Sequence, residues 1–233
     1  MKSKNPLKRK PTTKWLLLCF TAVLIIVGAV IGISSCSRQS YFQLSLDNLS
    51  ETRLFMKRAE TTNFRVQFFV GLREEPYAVN GVSEKKVAFG IVNLEPRGRV
   101  IDAEEIQGTL QIGEEQLPIV LERNPHGTNF ACDIEKLVEA DKDASLTITI
   151  DETTEEFQLT HSMPDDAITW ERALEIATDH HIDSIRRAGK FECYVKIVES
   201  PVAGGGSYWY VRFVPEKGDN FFCVIDAQGN LVC

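Results

Sequence analysis

Basic residues are scarce in most of this sequence. Of the 26 lysines and arginines in its 233 residues, six lie in the first fourteen positions, which contain no acidic residue. These six are Lys2, Lys4, Lys8, Arg9, Lys10 and Lys14. The rest of the chain has 20 basic and 33 acidic residues, a net charge of −13. Because lysine and arginine neutralise phosphates in complexes with nucleic acids, this acidic body excludes a nucleic-acid partner.

Histidine is also rare, and its spacing does not match a known metal motif. The four histidines are His126, His161, His180 and His181, and no H-E-x-x-H segment of the zinc-protease type is present. Neighbours on a helix project about 100° apart, so His180 and His181 are predicted not to chelate one ion together. His181 falls in the apolar stripe of its predicted helix and is expected to pack under a sheet, with a metal or pH-sensing role as the alternative. We therefore predict no metal and no cofactor.

Other signatures of catalysis are missing. The glycines of "AGGGS" at 203–207 lack the Lys-Ser/Thr of a phosphate-binding loop and precede a strand. There is no G-x-S-x-G segment and no cysteine–histidine pair with a recognisable family spacing. The sequence predicts a protein that is not an enzyme, with an enzyme of unrecognised type as the alternative.

One long uncharged run is present near the amino terminus. Residues 15–33 contain nineteen residues without a charge, and a helix of that length spans roughly 28 Å, close to the thickness of the bilayer hydrocarbon. The basic segment 1–14 is expected to stay in the cytoplasm, which places the body on the other side. Residues 15–36 are therefore predicted to form a transmembrane helix or a lipoprotein signal.

The choice between these two depends on Cys36. "ISSC" at 33–36 resembles the bacterial lipobox, whose cysteine is lipidated after signal cleavage. The uncharged run is longer than the apolar stretch of about 7–15 residues usual in a signal peptide, which favours a retained span. Both alternatives predict a cell-membrane protein, single-pass or lipid-anchored, with an extracytoplasmic body.

Residues 37–162 have the pattern of an all-β domain. "SLTITID" alternates, with Leu146, Ile148 and Ile150 on one face. Turn-prone pieces separate seven β-branched or aromatic runs: "FRVQFFVGL", "KKVAFGIVNL", "EIQGTLQI", "QLPIVLE", "NFACDI", "SLTITID" and "EEFQLTH". Several strands with short turns predict an antiparallel β-sandwich of immunoglobulin type. "NLSETRLFMKRAE" is predicted as a short helix or an edge strand, and "DIEKLVEA" as a helical turn.

Residues 163–233 are predicted to form a smaller α+β unit. Thr169 is a good N-cap, and apolar residues recur at helical spacing from Trp170 to about Ala188. Three strand-like runs follow: "KFECYVKIVE", "SYWYVRFVP" and "NFFCVIDA". We expect one helix on a three-stranded antiparallel sheet, so the chain as a whole is predicted to be mainly β with an α+β unit.

Three segments of this unit carry a family resemblance: "ALEIA" at 173–177, Tyr208 to Val214, and "VIDAQGNLV" at 224–232. In these segments the unit resembles the PepSY family, although its three cysteines and its glycine-rich hairpin loop depart from the family pattern. The resemblance implies a non-catalytic regulatory or binding module that contacts a peptidase or another envelope protein.

The second face of the three-stranded sheet is the predicted binding surface. A helix covers one face of such a sheet, and the more apolar side chains should lie beneath it. The other face then carries Tyr194, Tyr208, Tyr210 and Phe222. Tyrosine is enriched at interfaces because it combines a large apolar area with a polar tip. We expect this face to pack against the sandwich of the same chain or to bind a protein partner, with exposed aromatic side chains that bind nothing as the third alternative.

Four cysteines lie in the body: Cys132, Cys193, Cys223 and Cys233. An extracytoplasmic location permits disulfides. If the last turn comprises residues 227–229, Cys223 faces Cys233 across an antiparallel pair, where Cβ atoms lie about 4.5–5.5 Å apart. This predicts a Cys223–Cys233 disulfide, with buried thiols as the alternative.

Together these patterns predict a membrane-anchored, extracytoplasmic binding or regulatory protein. Two alternatives stay open. A structural envelope subunit is suggested by the Gly28-x-x-x-Gly32 spacing in the anchor. A glycan-binding surface lipoprotein is suggested because exposed aromatic side chains also stack on sugars.

Overall fold

The computed structural model describes residues 40–75, 85–98, 100–134, 142–200 and 205–232. Three helices lie in these ranges: α1 (residues 40–47), α2 (Trp170–His180) and α3 (Ile182–Ala188). The strands are β1 (Leu49–Glu60), β2 (Phe64–Glu74), β3 (Lys86–Pro96), β4 (Glu105–Ile112), β5 (Glu115–Arg123), β6 (Phe130–Ile134), β7 (Ala144–Ile150), β8 (Thr153–His161), β9 (Phe191–Glu199), β10 (Ser207–Pro215) and β11 (Phe221–Ile225).

Eight of these strands close into a barrel. Neighbours are antiparallel throughout, in the order β1-β2-β3-β6-β5-β4-β7-β8, and β8 pairs back with β1. The closing ladder pairs Lys57 with His161 and Arg58 with Thr160. The immunoglobulin-like β-sandwich predicted for residues 37–162 is therefore wrong, because the first and last strands pair with each other and leave no second sheet.

The core of the barrel consists of the side chains that point inward from its alternating strands. The alternating residues Phe64, Val66, Phe68 and Val70 of β2 are all buried in its core. Edge-to-face ring contacts join Phe64 to Phe157 of β8 and Phe68 to Phe55 of β1, each with centroids 5.9 Å apart. All seven runs predicted as strands are strands, and the ambiguous "NLSETRLFMKRAE" lies mostly in β1. Of "DIEKLVEA", residues 135–140 lie outside the described ranges.

The remaining strands extend the same sheet beyond the barrel. β9 pairs in parallel with the first residues of β1, and β10 pairs antiparallel with both β9 and β11, as expected for this unit. The face beneath the helices carries the more apolar side chains, as predicted: Phe191, Cys193, Val195, Ile197, Trp209, Val211 and Phe213. Side chains of α1 pack into the same core, which also contains Leu49, Met56, Phe69 and Phe89 from β1, β2 and β3.

The helix expected from Trp170 to Ala188 is divided into two. Thr169 caps the start of α2, where its side chain accepts a hydrogen bond from the Arg172 backbone N–H. His181 leaves the helical path with φ −103° and ψ 16°, and α3 begins at the next residue. Gly189 ends α3 with φ 70°, a conformation that glycine adopts without strain.

No helix in the described ranges is long and apolar enough to cross a membrane. The predicted basic segment 1–14 and the predicted transmembrane helix or signal at 15–36, including Cys36, lie outside those ranges.

Candidate functional site

Along one edge, β1 pairs first with β9 and then with β8. The place where these two neighbouring strands separate is the sheet fork. On one edge β1 pairs with β9 as far as Thr52 and with β8 from Lys57 onward. The segment between them contains a register shift against β2, between Arg53 and Phe55. β8 and β9 diverge at this point, and a cleft lies between them.

The cleft has a volume of about 490 Å³. This is within the range of about 300–1,000 Å³ that is usual for ligand pockets. Its floor comes from β1, one wall from the connection between β8 and α2, and the other from β9 and β10. The lining residues are Leu54, Phe55, Met56, His161, Met163, Pro164, Asp165, Ala167, Ile168, Thr169, Trp170, Glu171, Ile197 and Trp209.

Backbone hydrogen bonds hold the connecting wall in place at both ends. The N–H of Ser162 donates to the carbonyl of Met56 at 2.9 Å, and the N–H of Ile168 donates to the carbonyl of Ala227 at 2.8 Å. The indole Nε1 of Trp209 donates to the Ile168 carbonyl at 3.0 Å. The cleft is therefore preformed rather than assembled by a ligand.

The cleft has an apolar interior and an acidic rim. Trp209 is buried, and Met163 and Trp170 are half-buried at the wall. Asp165 and Glu171 are exposed where the wall meets solvent. Such a site favours a ligand in which a large apolar group lies next to a positively charged group.

The predicted binding surface is only partly exposed. Tyr194 is 4% exposed, and its hydroxyl donates to the buried carboxylate of Glu192 at 2.6 Å. Tyr208 and Tyr210 are half-buried, and Phe222 is 49% exposed. The rings of Tyr210 and Phe222 are in contact, with centroids 5.4 Å apart. The structure thus brings Tyr210 and Phe222 together, whereas Tyr194 contributes no exposed surface.

Tyr194 is instead joined to the barrel. It lies in register with Glu51 of β1. The ammonium of Lys196 is 5.4 Å from the Tyr194 ring centre and 2.7 Å from the Glu51 carboxylate. This part of the face packs against the same chain, whereas partner binding by Tyr208, Tyr210 and Phe222 stays a prediction.

No family model, curated protein or solved structure matches this chain. The resemblance of residues 163–233 to PepSY therefore stays a prediction.

The cysteines occupy different environments. Cys193 is buried and its thiol donates to the Ser45 carbonyl at 3.0 Å, and burial raises the pKa of this thiol. Burial also raises the pKa of the half-buried Cys132 thiol; a hydrogen bond with the Val120 backbone opposes this, and the carboxylates of Asp133 and Glu122 add to the increase. Both thiols are therefore protonated at neutral pH and poor nucleophiles.

The final hairpin has the register that the disulfide prediction requires. The Asp226 N–H donates to the Asn230 carbonyl at 2.9 Å, and Ile225 pairs with Leu231. Cys223 is buried on β11, whereas Cys233 lies outside the described ranges. The Cys223–Cys233 disulfide stays a prediction.

The two adjacent histidines lie close together, against expectation. Their ring centroids are 4.7 Å apart, because α2 ends at His180 and the backbone leaves the helical path at His181. Nε2 of His181 is 3.0 Å from the Phe222 carbonyl oxygen. Burial lowers the pKa of His181, the Phe222 hydrogen bond opposes this, and the charge of His180 lowers the pKa further. The argument that these rings must diverge is wrong because it assumed an unbroken helix.

Proposed function

We propose that this protein is a non-catalytic binding protein of the cell surface, and that it holds an apolar segment of a partner protein in the cleft at the sheet fork. The cleft carries the proposal: it is preformed, has a volume of about 490 Å³ and is lined mainly by apolar and aromatic side chains. Grooves of this kind recognise peptides by the side chains that enter them.

The charge of the molecule supports a basic segment as the occupant. The chain beyond residue 14 has a net charge of −13. Asp165 and Glu171 are exposed along the rim of the cleft. An extended peptide with a large apolar side chain next to lysine or arginine would place its charge against these carboxylates, which favours both encounter and orientation.

The amino-terminal sequence supports a location at the membrane, with the body outside the cytoplasm. Residues 1–14 carry six positive charges, and an uncharged run of nineteen residues follows. We propose that residues 1–36 attach the chain to the membrane. The resemblance to PepSY supports a peptidase or another envelope protein as the partner.

Selection from a random peptide library on the immobilised body, residues 37–233, tests the binding function. We expect the enriched peptides to combine a large apolar residue with neighbouring lysine or arginine. The substitution Met163→Glu should weaken the best peptide by about ten-fold or more, because it places a carboxylate against an apolar wall. Titration followed by tryptophan fluorescence measures this, since Trp170 and Trp209 line the cleft.

Val120→Glu is the matched control. Val120 is an apolar side chain on β5 that is 38% exposed and lies outside the cleft. The Val120→Glu variant should bind the selected peptides with unchanged affinity. Equal losses in the two variants, or an unchanged affinity in Met163→Glu, would show that the cleft is not the binding site. Retention on cell-wall glycan without any enriched peptide would favour the glycan-binding alternative.

A further inference from the structure

Three potential metal ligands meet on the side of the sheet that the helices cover. One ring nitrogen each from His180 and His181 and the Sγ atom of Cys223 all lie within 4.8 Å of one another. They come from two elements that are far apart in sequence, since both histidines lie at the end of α2 and Cys223 lies on β11. From these groups we infer a binding site for a single Zn²⁺ ion.

The local backbone brings the two histidines to the same side. The helix ends at His180, and the turn at His181 starts α3 at the next residue. The rings meet edge to face rather than diverging around a helix. Phe213 and Phe221 support the His181 ring, with centroids 6.0 and 5.0 Å away. The His181 ligand is therefore positioned by packing before any ion binds.

The hydrogen bond of His181 indicates which nitrogen is available to an ion. A carbonyl oxygen can only accept, so Nε2 carries the proton that is donated to Phe222 at 3.0 Å. Nδ1 then has the free lone pair. Histidines that bind metals commonly donate their other ring N–H to a carbonyl in this way, which fixes the tautomer and the ring orientation.

The donor set and the spacing suit zinc. Imidazole and thiolate are preferred by Zn²⁺, whereas Mg²⁺ and Ca²⁺ prefer oxygen ligands. With metal–ligand distances of about 2.0–2.3 Å, tetrahedral ligand atoms lie roughly 3.5 Å apart. His180 is exposed, so rotation of its side chain can close the present separation. Three protein ligands leave the fourth position for water.

Titration with Co²⁺ and then Zn²⁺ tests the site. Cys223 cannot bind Zn²⁺ as a thiolate while it is in the predicted disulfide with Cys233, so the two are alternatives for this residue. The body, residues 37–233, should therefore be reduced and should carry Cys233→Ser. We expect one equivalent of Co²⁺ to give a thiolate-to-cobalt charge-transfer band together with the visible bands of four-coordinate cobalt, and Zn²⁺ to abolish both. Zn²⁺ at about 100 times its Kd should raise the Tm by about 5–10 °C.

His180→Ala is the deciding variant. Because His180 is exposed, its loss should leave the fold intact while weakening Zn²⁺ binding by about 100-fold or more. Cys223→Ser should abolish the charge-transfer band, but Cys223 is fully buried, so the Tm of that variant must be measured as well. The matched controls are His126→Ala, at an exposed histidine in a turn, and Cys132→Ser, at a half-buried cysteine.

Both control variants should bind Zn²⁺ with the same affinity as the Cys233→Ser protein from which they are made. The inference is overturned if the reduced Cys233→Ser protein gives no charge-transfer band, or if binding survives in His180→Ala. It is also overturned if His126→Ala weakens binding as much as His180→Ala does. None of these results bears on the cleft, because His180, His181 and Cys223 are not among its lining residues.

Discussion

A fragment of residues 163–233 is expected to be unfolded in isolation, whereas a fragment of residues 40–162 is expected to keep its barrel. The sequence suggests the opposite for the first fragment, because it has the pattern of a small α+β domain. In the structure, however, the core beneath the helices is not built by residues 163–233 alone. It also contains Leu49, Met56, Phe69 and Phe89, together with side chains of α1.

Buried polar contacts also cross between the two fragments. The Cys193 thiol donates to the Ser45 carbonyl, and the Thr178 hydroxyl donates to the Ser45 hydroxyl. The inner edge of β9 pairs with β1. Removal of residues 40–162 leaves these groups without partners, at a cost of about 1–3 kcal/mol for each group that stays buried. A unit of about 70 residues has little stability to lose.

The barrel fragment keeps a complete core. All buried members of the barrel core lie between Phe55 and Leu159, and the eight strands of the closed ring lie within residues 40–162. Its outer surface would newly expose Met56, Phe69 and Phe89. We therefore expect a folded fragment that is prone to associate, and not an unfolded one.

Circular dichroism and thermal denaturation measure both fragments and the intact body. We expect a single transition for residues 40–233, a cooperative transition for residues 40–162, and none for residues 163–233. Addition of the barrel fragment should restore ordered structure to the other fragment, which controls for damage during its preparation. A cooperative transition of residues 163–233 alone would show that this unit is an independent domain.

The strands were predictable because their signal is local. Alternation along "SLTITID" and the turn-prone pieces between runs give β7 and its neighbours without any knowledge of the partners. The apolar set beneath the helices was predictable for the same reason. Each of these predictions needs only the period of one strand or helix.

Barrel closure was not predictable because it depends on β1. Its sequence "LSETRLFMKRAE" contains helix-forming residues and is therefore compatible with a short helix as well as with an edge strand. Lys57 is nevertheless only 3% exposed, and its ammonium donates to the carbonyl of Lys142. Lys57 and Arg58 pair with His161 and Thr160, about 100 residues further along the chain. A sandwich and a barrel share the same local strand pattern, and only this distant pairing separates them.

The candidate site was missed for a related reason. The cleft combines residues 54–56 with residues near 165, 197 and 209, and no segment of the sequence contains its pattern. Alternation places Tyr194 on the face away from the helices but does not decide between packing against the same chain and binding a partner. The buried acceptor Glu192, two residues away, allows the Tyr194 hydroxyl to be buried. A hydrogen-bond partner of this kind is a property of the fold and not of the strand period.

The substitution Gly71→Ala is expected to lower the free energy of unfolding by about 3 kcal/mol or more and the Tm by about 6–12 °C. A Cβ atom at residue 71 would lie 2.1 Å from the Thr52 carbonyl oxygen and 3.0 Å from Phe89. The carbonyl belongs to the backbone of β1 and cannot rotate away as a side chain would. β1 and β2 would therefore have to separate.

Gly90→Ala is the matched control for Gly71→Ala. Gly90 is also a glycine within a strand, β3, but an alanine there does not force two strands apart. A Cβ atom there would meet only side chains at 3.5 Å or more, which is ordinary contact. We expect its free energy of unfolding to change by less than about 1 kcal/mol, because the alanine fits and also lowers the entropy of the unfolded chain. Gly71 lies opposite Arg53, at the start of the fork. If denaturant titration finds the two variants equally stable, the close approach of β1 to β2 is wrong, and so is the register shift that opens the cleft.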